Sequence, residues 1–348
     1  MSKEHKTHAI KIKHWVPVAI VAGIILFVFW FNVVRDNIGM KTPIKWGVTF
    51  SLTYAKELGL DWKQVFIATL DELGVKNYRI AVAWDTVELA HGTYDFSDVD
   101  WMLDQAEARN AKVFLAIGRR TPRWPECHTP DWAKTMSLAD QNKNLMELLR
   151  AEVGHFKDRG IVVAWQVENE PLLDIFGVCP PGDAKLLSEE VRLVKTLDQT
   201  RPVIVTDSGE LSFWVRTGWN ADVLGISLYR QTWNKWFGYF YYPITPAFYR
   251  EKAQAVFPIV KKVIVTELQA EPWPANQTPI VATPIPEQYK SMNIKRFRDN
   301  VEFARRVGFS EVYLWGVEWW YWIREHGDPS FWNAAKDLFM ESQNTVSQ

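Results

Sequence analysis

The chain has 348 residues, with 40 Lys and Arg against 41 Asp and Glu, a formal net charge of −1. That balance excludes a nucleic-acid binder relying on bulk positive charge, and the mean hydropathy of −0.18 excludes a multi-span membrane protein. With 47% hydrophobic and 23% charged residues the chain is a folding one, and its unusual number is 19 Trp. Trp can serve as core, as a membrane-interface anchor or as a ligand platform.

Residues 1–14 form a polar tail carrying Lys3, Lys6, Lys11 and Lys13 against Glu4. Residues 15–34 hold no charge, with Trp15 and Trp30 near the two ends. Twenty residues make a helix of about 30 Å, enough to cross a hydrocarbon core. The exit, Phe29-Trp30-Phe31-Asn32-Val33-Val34-Arg35, has no small-residue cleavage site, so an uncleaved signal-anchor is expected over a signal peptide. The expectation is a cytoplasmic tail at 1–14, a transmembrane segment at 15–34 in the lipid bilayer and a linker at 35–44. An extracytoplasmic catalytic domain follows at 45–341, then a tail at 342–348.

From Lys45 onward β and α patterns alternate. Short β-branched or apolar runs predict strands at Trp46–Phe50, Asn77–Ala83, Lys112–Gly118, Val162–Glu168, Val203–Asp207, Val223–Tyr229, Val263–Glu267 and Glu311–Gly316. Helical spacing links Trp62, Val65, Phe66, Thr69, Leu70 and Leu73. It recurs at Leu145, Leu148, Leu149, Val153 and Phe156, and at Ile294, Phe297, Val301 and Ala304. Strands that alternate with helices pair in parallel and bury both faces. Eight such units predict a (β/α)8 barrel. The rival, an open doubly wound sheet, usually carries a Gly-rich phosphate turn after its first strand, and none is present. Trp233–Tyr242 and Pro272–Pro286 read as long insertions after strands six and seven.

Barrel chemistry sits at the C-terminal ends of the strands. The fourth ends Trp165-Gln166-Val167-Glu168-Asn169-Glu170-Pro171, and the seventh Val265-Thr266-Glu267-Leu268. Two carboxyls facing each other across a barrel mouth suit glycosidic bond cleavage. One must protonate the leaving oxygen while the other attacks or activates water. A lone Glu would read as a solvated loop acid; the pair at two strand ends favours catalysis.

Here the chain resembles the clan of retaining (β/α)8 glycoside hydrolases that includes cellulase-type family 5 and β-galactosidase-type family 42. The resemblance spans roughly residues 45–340, and Asn169-Glu170-Pro171 is its most specific motif. It implies Glu170 as acid/base and Glu267 as nucleophile. It further implies that Arg79 orients the nucleophile and Asn169 holds a sugar hydroxyl. Tyr229 would stand near the nucleophile, with Trp315 as the platform under the reacting sugar. Trp84, Glu88, Gly92, Tyr94, Asp95, Phe96 and Asp100 follow a pattern seen after strand two in several of these families. Arg119 to Trp124 departs from the usual third-strand His or Asn.

Trp124, Trp233, Trp236, Trp273, Trp319, Trp320 and Trp322 also fall at or beyond strand ends, and with Trp84 and Trp315 they are expected to form a saccharide-facing rim. For Trp233 and Trp236 a rim core or a membrane contact are the blander alternatives. Glu168 is expected in structural hydrogen bonds, and Glu210, Glu271 and Glu318 as subsite or surface groups. Cys127 and Cys179 lie in loops on the same face of adjacent units, and outside the cytoplasm thiols tend to pair. A disulfide is expected, against two free thiols; Cα atoms more than about 7 Å apart would exclude it. No ligand spacing for a metal and no cofactor motif is visible. The expected function is a membrane-anchored retaining glycosidase acting on a carbohydrate. The alternatives are a transglycosylase of envelope polysaccharide and a catalytically silent carbohydrate-binding barrel.

Overall fold

The computed structural model describes residues 43–346, together with 22 and 23. The expected anchor at 15–34 therefore lies outside the described residues. Among those described, no helix is long and apolar enough to cross a membrane.

Eight parallel strands close a barrel. They are β1 (Lys45–Phe50), β2 (Asn77–Ala81), β3 (Lys112–Ile117), β4 (Val162–Val167), β5 (Val203–Asp207), β6 (Val223–Leu228), β7 (Val263–Gln269) and β8 (Glu311–Trp315). Each pairs with its neighbours in chain order, and β8 returns to β1 through Lys45↔Glu311 and Thr49↔Trp315. All eight predicted strands form, with shifted ends. β7 runs two residues past Glu267 because Leu268 and Gln269 still pair with Leu314 and Trp315.

Alternation along the strands sorts the side chains. Tyr78 and Ile80 join the layer between strands and helices, while Phe114, Ala164, Ile204, Val223, Ile264 and Tyr313 pack a separate inner core. Arg79 is in register with Phe114 and so shares its inward face. The outer layer is closed by amphipathic helices. Asp61 caps Trp62–Asp71 by accepting from Lys63 N and Gln64 N, and Asp183 caps Ala184–Leu197 in the same way.

The insertion at Trp233–Tyr242 is ordered: Gln231–Asn234 and Gly238–Tyr241 pair as an antiparallel hairpin. The last helix, Ser330–Val346, runs through the boundary expected at 341. Ser342 Oγ donates to Ile44 O and Gln343 Nε2 to Gly74 O, so these two residues pack on the barrel.

Candidate active site

The C-terminal ends of the strands surround a cavity of about 480 Å³. Asn169, Glu170, Tyr229, Glu267, Trp124, Trp273 and Trp315 all line it. Arg79 lies beneath, fully buried.

Arg79 organises the floor. Its Nη1 donates to Glu267 Oε1 at 2.8 Å, its Nη2 to Asn169 Oδ1 at 2.6 Å and its Nε to Gln166 Oε1 at 2.7 Å. A guanidinium presents donors in a rigid fork, so one side chain fixes three partners. Glu267 accepts a second bond from the Tyr229 hydroxyl at 3.2 Å. Tyr229 is itself placed by Glu210, whose Oε1 accepts from Tyr229 N at 3.0 Å and from the Tyr249 hydroxyl at 2.6 Å.

Glu170 has different surroundings. Its carboxylate accepts from the Ser227 hydroxyl at 2.8 Å, and its backbone N–H donates to Thr206 Oγ1 at 2.8 Å. Burial first, then the charge of Glu267, holds the Glu170 carboxyl well above the usual carboxylate range. Its φ of +45° and the +59° of Glu168 lie in the left-handed region. Such conformations cost on the order of 1–3 kcal/mol and concentrate at functional sites.

Glu168 is structural, as expected. Its two oxygens accept the backbone N–H groups of Arg119 and Arg120, each at 2.7 Å. The turn needs Gly118: its φ is +106°, and a Cβ there would stand 2.3 Å from Glu168 Oε1.

Glu271 and Glu318, expected as subsite or surface groups, hold a second arginine. Arg123 pairs with both carboxylate oxygens of Glu271 and, at 3.0 Å, with Glu318 Oε2. Its guanidinium lies 3.7 Å from the Tyr54 ring centroid and 4.1 Å from that of Trp315. Trp315 Nε1 donates to Glu271 Oε1 at 2.8 Å, which turns its ring to the cavity. Gly316 lets the chain pass: with φ +118°, a Cβ there would meet Glu271 Cβ at 2.4 Å.

Cys127 and Cys179 form a disulfide with Cα atoms 5.2 Å apart, tying the loop after β3 to the loop after β4. Glu126, next to Cys127, lines the cavity and accepts from Asn169 Nδ2 at 3.0 Å. Sequence reasoning missed both Arg123 and Glu126. The one available signal was the departure of that loop from the clan's usual pattern.

Several expected rim residues are elsewhere. Trp84, Trp319 and Trp320 are wholly buried core residues, and Trp322 is buried with them. Trp84 Nε1 donates to Glu88 Oε2, and Trp319 Nε1 to Gln288 Oε1. Glu88 Oε1 also accepts from Gly92 N, so the pattern after β2 is a structural clasp. Trp233 and Trp236 stand on the hairpin, outside the cavity lining, and Trp236 is 79% exposed. No group of three or more His, Cys, Asp and Glu with metal-binding geometry occurs among the described residues.

Residues 50–177 match the sequence model of glycosyl hydrolase family 10. Among curated proteins no sequence relative matches. Similar solved structures include the GH5_18 protein of Bifidobacterium longum subsp. longum, at 12% identity and TM-score 0.56, covering 79% of this chain and 70% of that one. Xylanase 10B of Thermotoga maritima is 14% identical with TM-score 0.53, covering 78% of this chain and 83% of its own. The exo-β-1,4-mannosidase of an Opitutaceae bacterium is 15% identical with TM-score 0.53, covering 81% and 53%. The fold and the family-model match place the chain among the (β/α)8-barrel glycoside hydrolases. Its likenesses spread over more than one family of that fold.

Proposed function

We propose that the chain is a retaining glycosidase acting on a poly- or oligosaccharide, with Glu170 as acid/base and Glu267 as nucleophile. The observation that carries this reading is the opposite surroundings of two carboxyls lining one cavity. Glu267 has a full countercharge in Arg79 and a hydroxyl donor in Tyr229. Among the described residues no cation is bonded to Glu170, and burial and the charge of Glu267 favour its protonated form. Such a division separates nucleophile from acid.

Glu267 attacks the anomeric carbon while Glu170 gives its proton to the leaving oxygen. As the glycosyl ester forms, the charge of Glu267 is lost and the field that raised Glu170 weakens. Glu170 is then a better base for the water that releases the sugar. Activity falls at alkaline pH as Glu170 loses its proton, because the first step needs the acid.

The same reading keeps residues 15–34 as an anchor that leaves the barrel outside the cytoplasm. The described chain joins the barrel at Lys45, at the strand ends remote from the cavity. Carbonate extraction of the full chain tests the anchor.

The test of the chemistry is trapping by a 2-deoxy-2-fluoro glycoside and mass spectrometry of the labelled peptide. Label on Glu267 is expected, together with retained anomeric configuration by proton NMR. Glu267→Gln should abolish turnover, and Glu170→Gln should spare only substrates with good leaving groups. Near-normal activity in Glu267→Gln would sink the assignment.

A further inference from the structure

Six carboxyl side chains line the cavity: Glu57, Glu126, Glu170, Glu210, Glu267 and Glu271. The one cationic side chain among the lining residues, Arg123, is bound to Glu271 and Glu318. Four of the six have assigned work in the site: acid, nucleophile, support of Tyr229 and pairing of Arg123. Glu57 is exposed at the edge. Glu126 remains, and the mechanism above does not use it.

Its placement is over-determined. The loop carrying it is pinned by the bridge Arg120↔Cys127 and by the disulfide from Cys127 to Cys179. Its backbone N–H donates to Arg123 O, and its carbonyl accepts from Thr121 N. Gly177 packs against it so closely that a Cβ there would lie 2.7 Å from Glu126 Cβ. Glu126 itself has φ +70°, a conformation L side chains rarely adopt. A surface acid would need none of this.

The side chain ends beside the catalytic machinery. Asn169 Oδ1 is taken by Arg79 Nη2 at 2.6 Å and Thr206 Oγ1 at 3.1 Å, so its amide is turned with Nδ2 toward Glu126. A hydrogen-bonded chain thus runs from Glu126 through Asn169 and Arg79 to Glu267. Only Oε2 of Glu126 is used by this chain; Oε1 has no protein partner among the described residues. Burial, then the charge of Glu267, pushes the carboxyl up to about 7. A ligand group that donates a hydrogen bond or carries positive charge relieves that cost. An anionic group adds to it.

We propose that Glu126 is a specificity-determining residue. It binds a hydrogen-bond-donating substituent, hydroxyl or free amine, on the sugar ring at the reacting position, and excludes rings that carry a carboxylate or sulfate there. The inference rests on the reading of this cavity as a glycosidase site. It makes the substrate a neutral or cationic saccharide.

The test compares nitrophenyl glycosides on wild type, Glu126→Ala and Glu126→Gln. The panel holds neutral hexosides, single-deoxy analogues, a 2-amino-2-deoxy hexoside and a uronide. On wild type, one deoxy analogue should lose roughly tenfold to a hundredfold in kcat/KM, the range for a bond to a charged acceptor. In Glu126→Ala that penalty should collapse. Glu126→Gln keeps an acceptor oxygen, so it should keep part of the deoxy penalty while gaining on the uronide. The comparison of amine with hydroxyl identifies the donor. An equal deoxy penalty in wild type and Glu126→Ala overturns the proposal. So does wild type that cleaves the uronide as well as the hexoside, a result that stands even if the Ala variant fails to fold. If wild type cleaves no glycoside and takes no fluoroglycoside label, the glycosidase reading falls with it. Normal turnover with no effect at Glu126 sinks this inference alone.

Discussion

Two buried arginines meet glutamates in this barrel, and they are held in different ways. Arg79 stands on β2 inside the barrel, with Nε, Nη1 and Nη2 each bonded to a different side chain. Arg123 stands in the loop after β3, between the rings of Tyr54 and Trp315, with two carboxylates around it and no partner for Nε among the described residues. A strand delivers a side chain to its face by alternation, so the fork of Arg79 can be used wholly for aiming. A loop has no such lattice. Arg123 therefore needs rings and a second carboxylate merely to be located, and it locates Glu271 and Trp315 in turn. On the proposed mechanism the first arginine belongs to the chemistry and the second to the wall around it.

That contrast is most exposed by Arg79→Lys. The charge survives, but one ammonium cannot reproduce three directed contacts. Misplacing Glu267, the proposed nucleophile, and Asn169 together should lower kcat/KM by about a hundredfold or more, with folding retained. Steady-state kinetics beside a thermal melt separates the two effects. Little loss of activity would show that charge alone, not aim, is what Glu267 requires.

Arg123→Met should reverse the balance. Removing one partner of a buried ion pair typically costs about 3–5 kcal/mol, and here Glu271 and Glu318 both lose their cation. Urea unfolding should register that loss, while activity should fall less than in Arg79→Lys. The pH dependence of folding should change as well. In wild type, burial outweighs the Arg123 charge and pushes Glu318 up to about 7. The folded state therefore holds a proton that the unfolded chain has lost, between about pH 4.5 and 7. Stability from this group is greatest at the acidic end and declines as pH rises through that window. Without Arg123 the decline should extend to higher pH.

Reduction of Cys127–Cys179 comes next. The bridge closes a segment with a sequence separation of 52, and losing such a constraint costs roughly 2–4 kcal/mol. The loop it restrains carries Arg123 and Glu126, whereas Arg79 lies on β2. Dithiothreitol should thus lower the melting temperature and weaken sugar discrimination more than it lowers kcat on an activated substrate.

The same distinction explains what could be read from the residues. Arg79, Asn169, Glu170, Tyr229 and Glu267 lie on strands or within three residues of their ends, where period-two alternation and strand order dictate position. Arg123 and Glu126 have φ of +92° and +70°, in a loop shaped by a bridge to another loop, and no local pattern encodes that. The Trp residues misled for a related reason. Trp84 and Trp319 follow strand ends closely, but the chain enters helices Trp84–Val87 and Val317–Glu325 there, and those helices turn them into the core. Distance from a strand end is a guide only where a loop, not a helix, comes next. Trp46 and Trp165 on strands and Trp62 on a helix are core as well.

Trp273 and Trp236 give the smallest effect and the finest test of the comparison. Trp273 follows β7, lines the cavity and packs edge-on to Tyr229 with ring centroids 5.3 Å apart. It is thus tied to the hydroxyl partner of Glu267. Trp236 stands at the hairpin turn, where its N–H donates to Asn234 Oδ1 and its ring is mostly in solvent. Trp273→Ala should lower kcat/KM on a nitrophenyl glycoside, since it removes both a wall of the cavity and a support of Tyr229. Trp236→Ala should leave stability within about 0.5 kcal/mol and leave turnover of the same small substrate unchanged. If Trp236→Ala instead impairs a one-sugar substrate, the hairpin folds over the cavity during turnover. The boundary between residues held at the site and residues held only at its rim would then lie further out and include the turn.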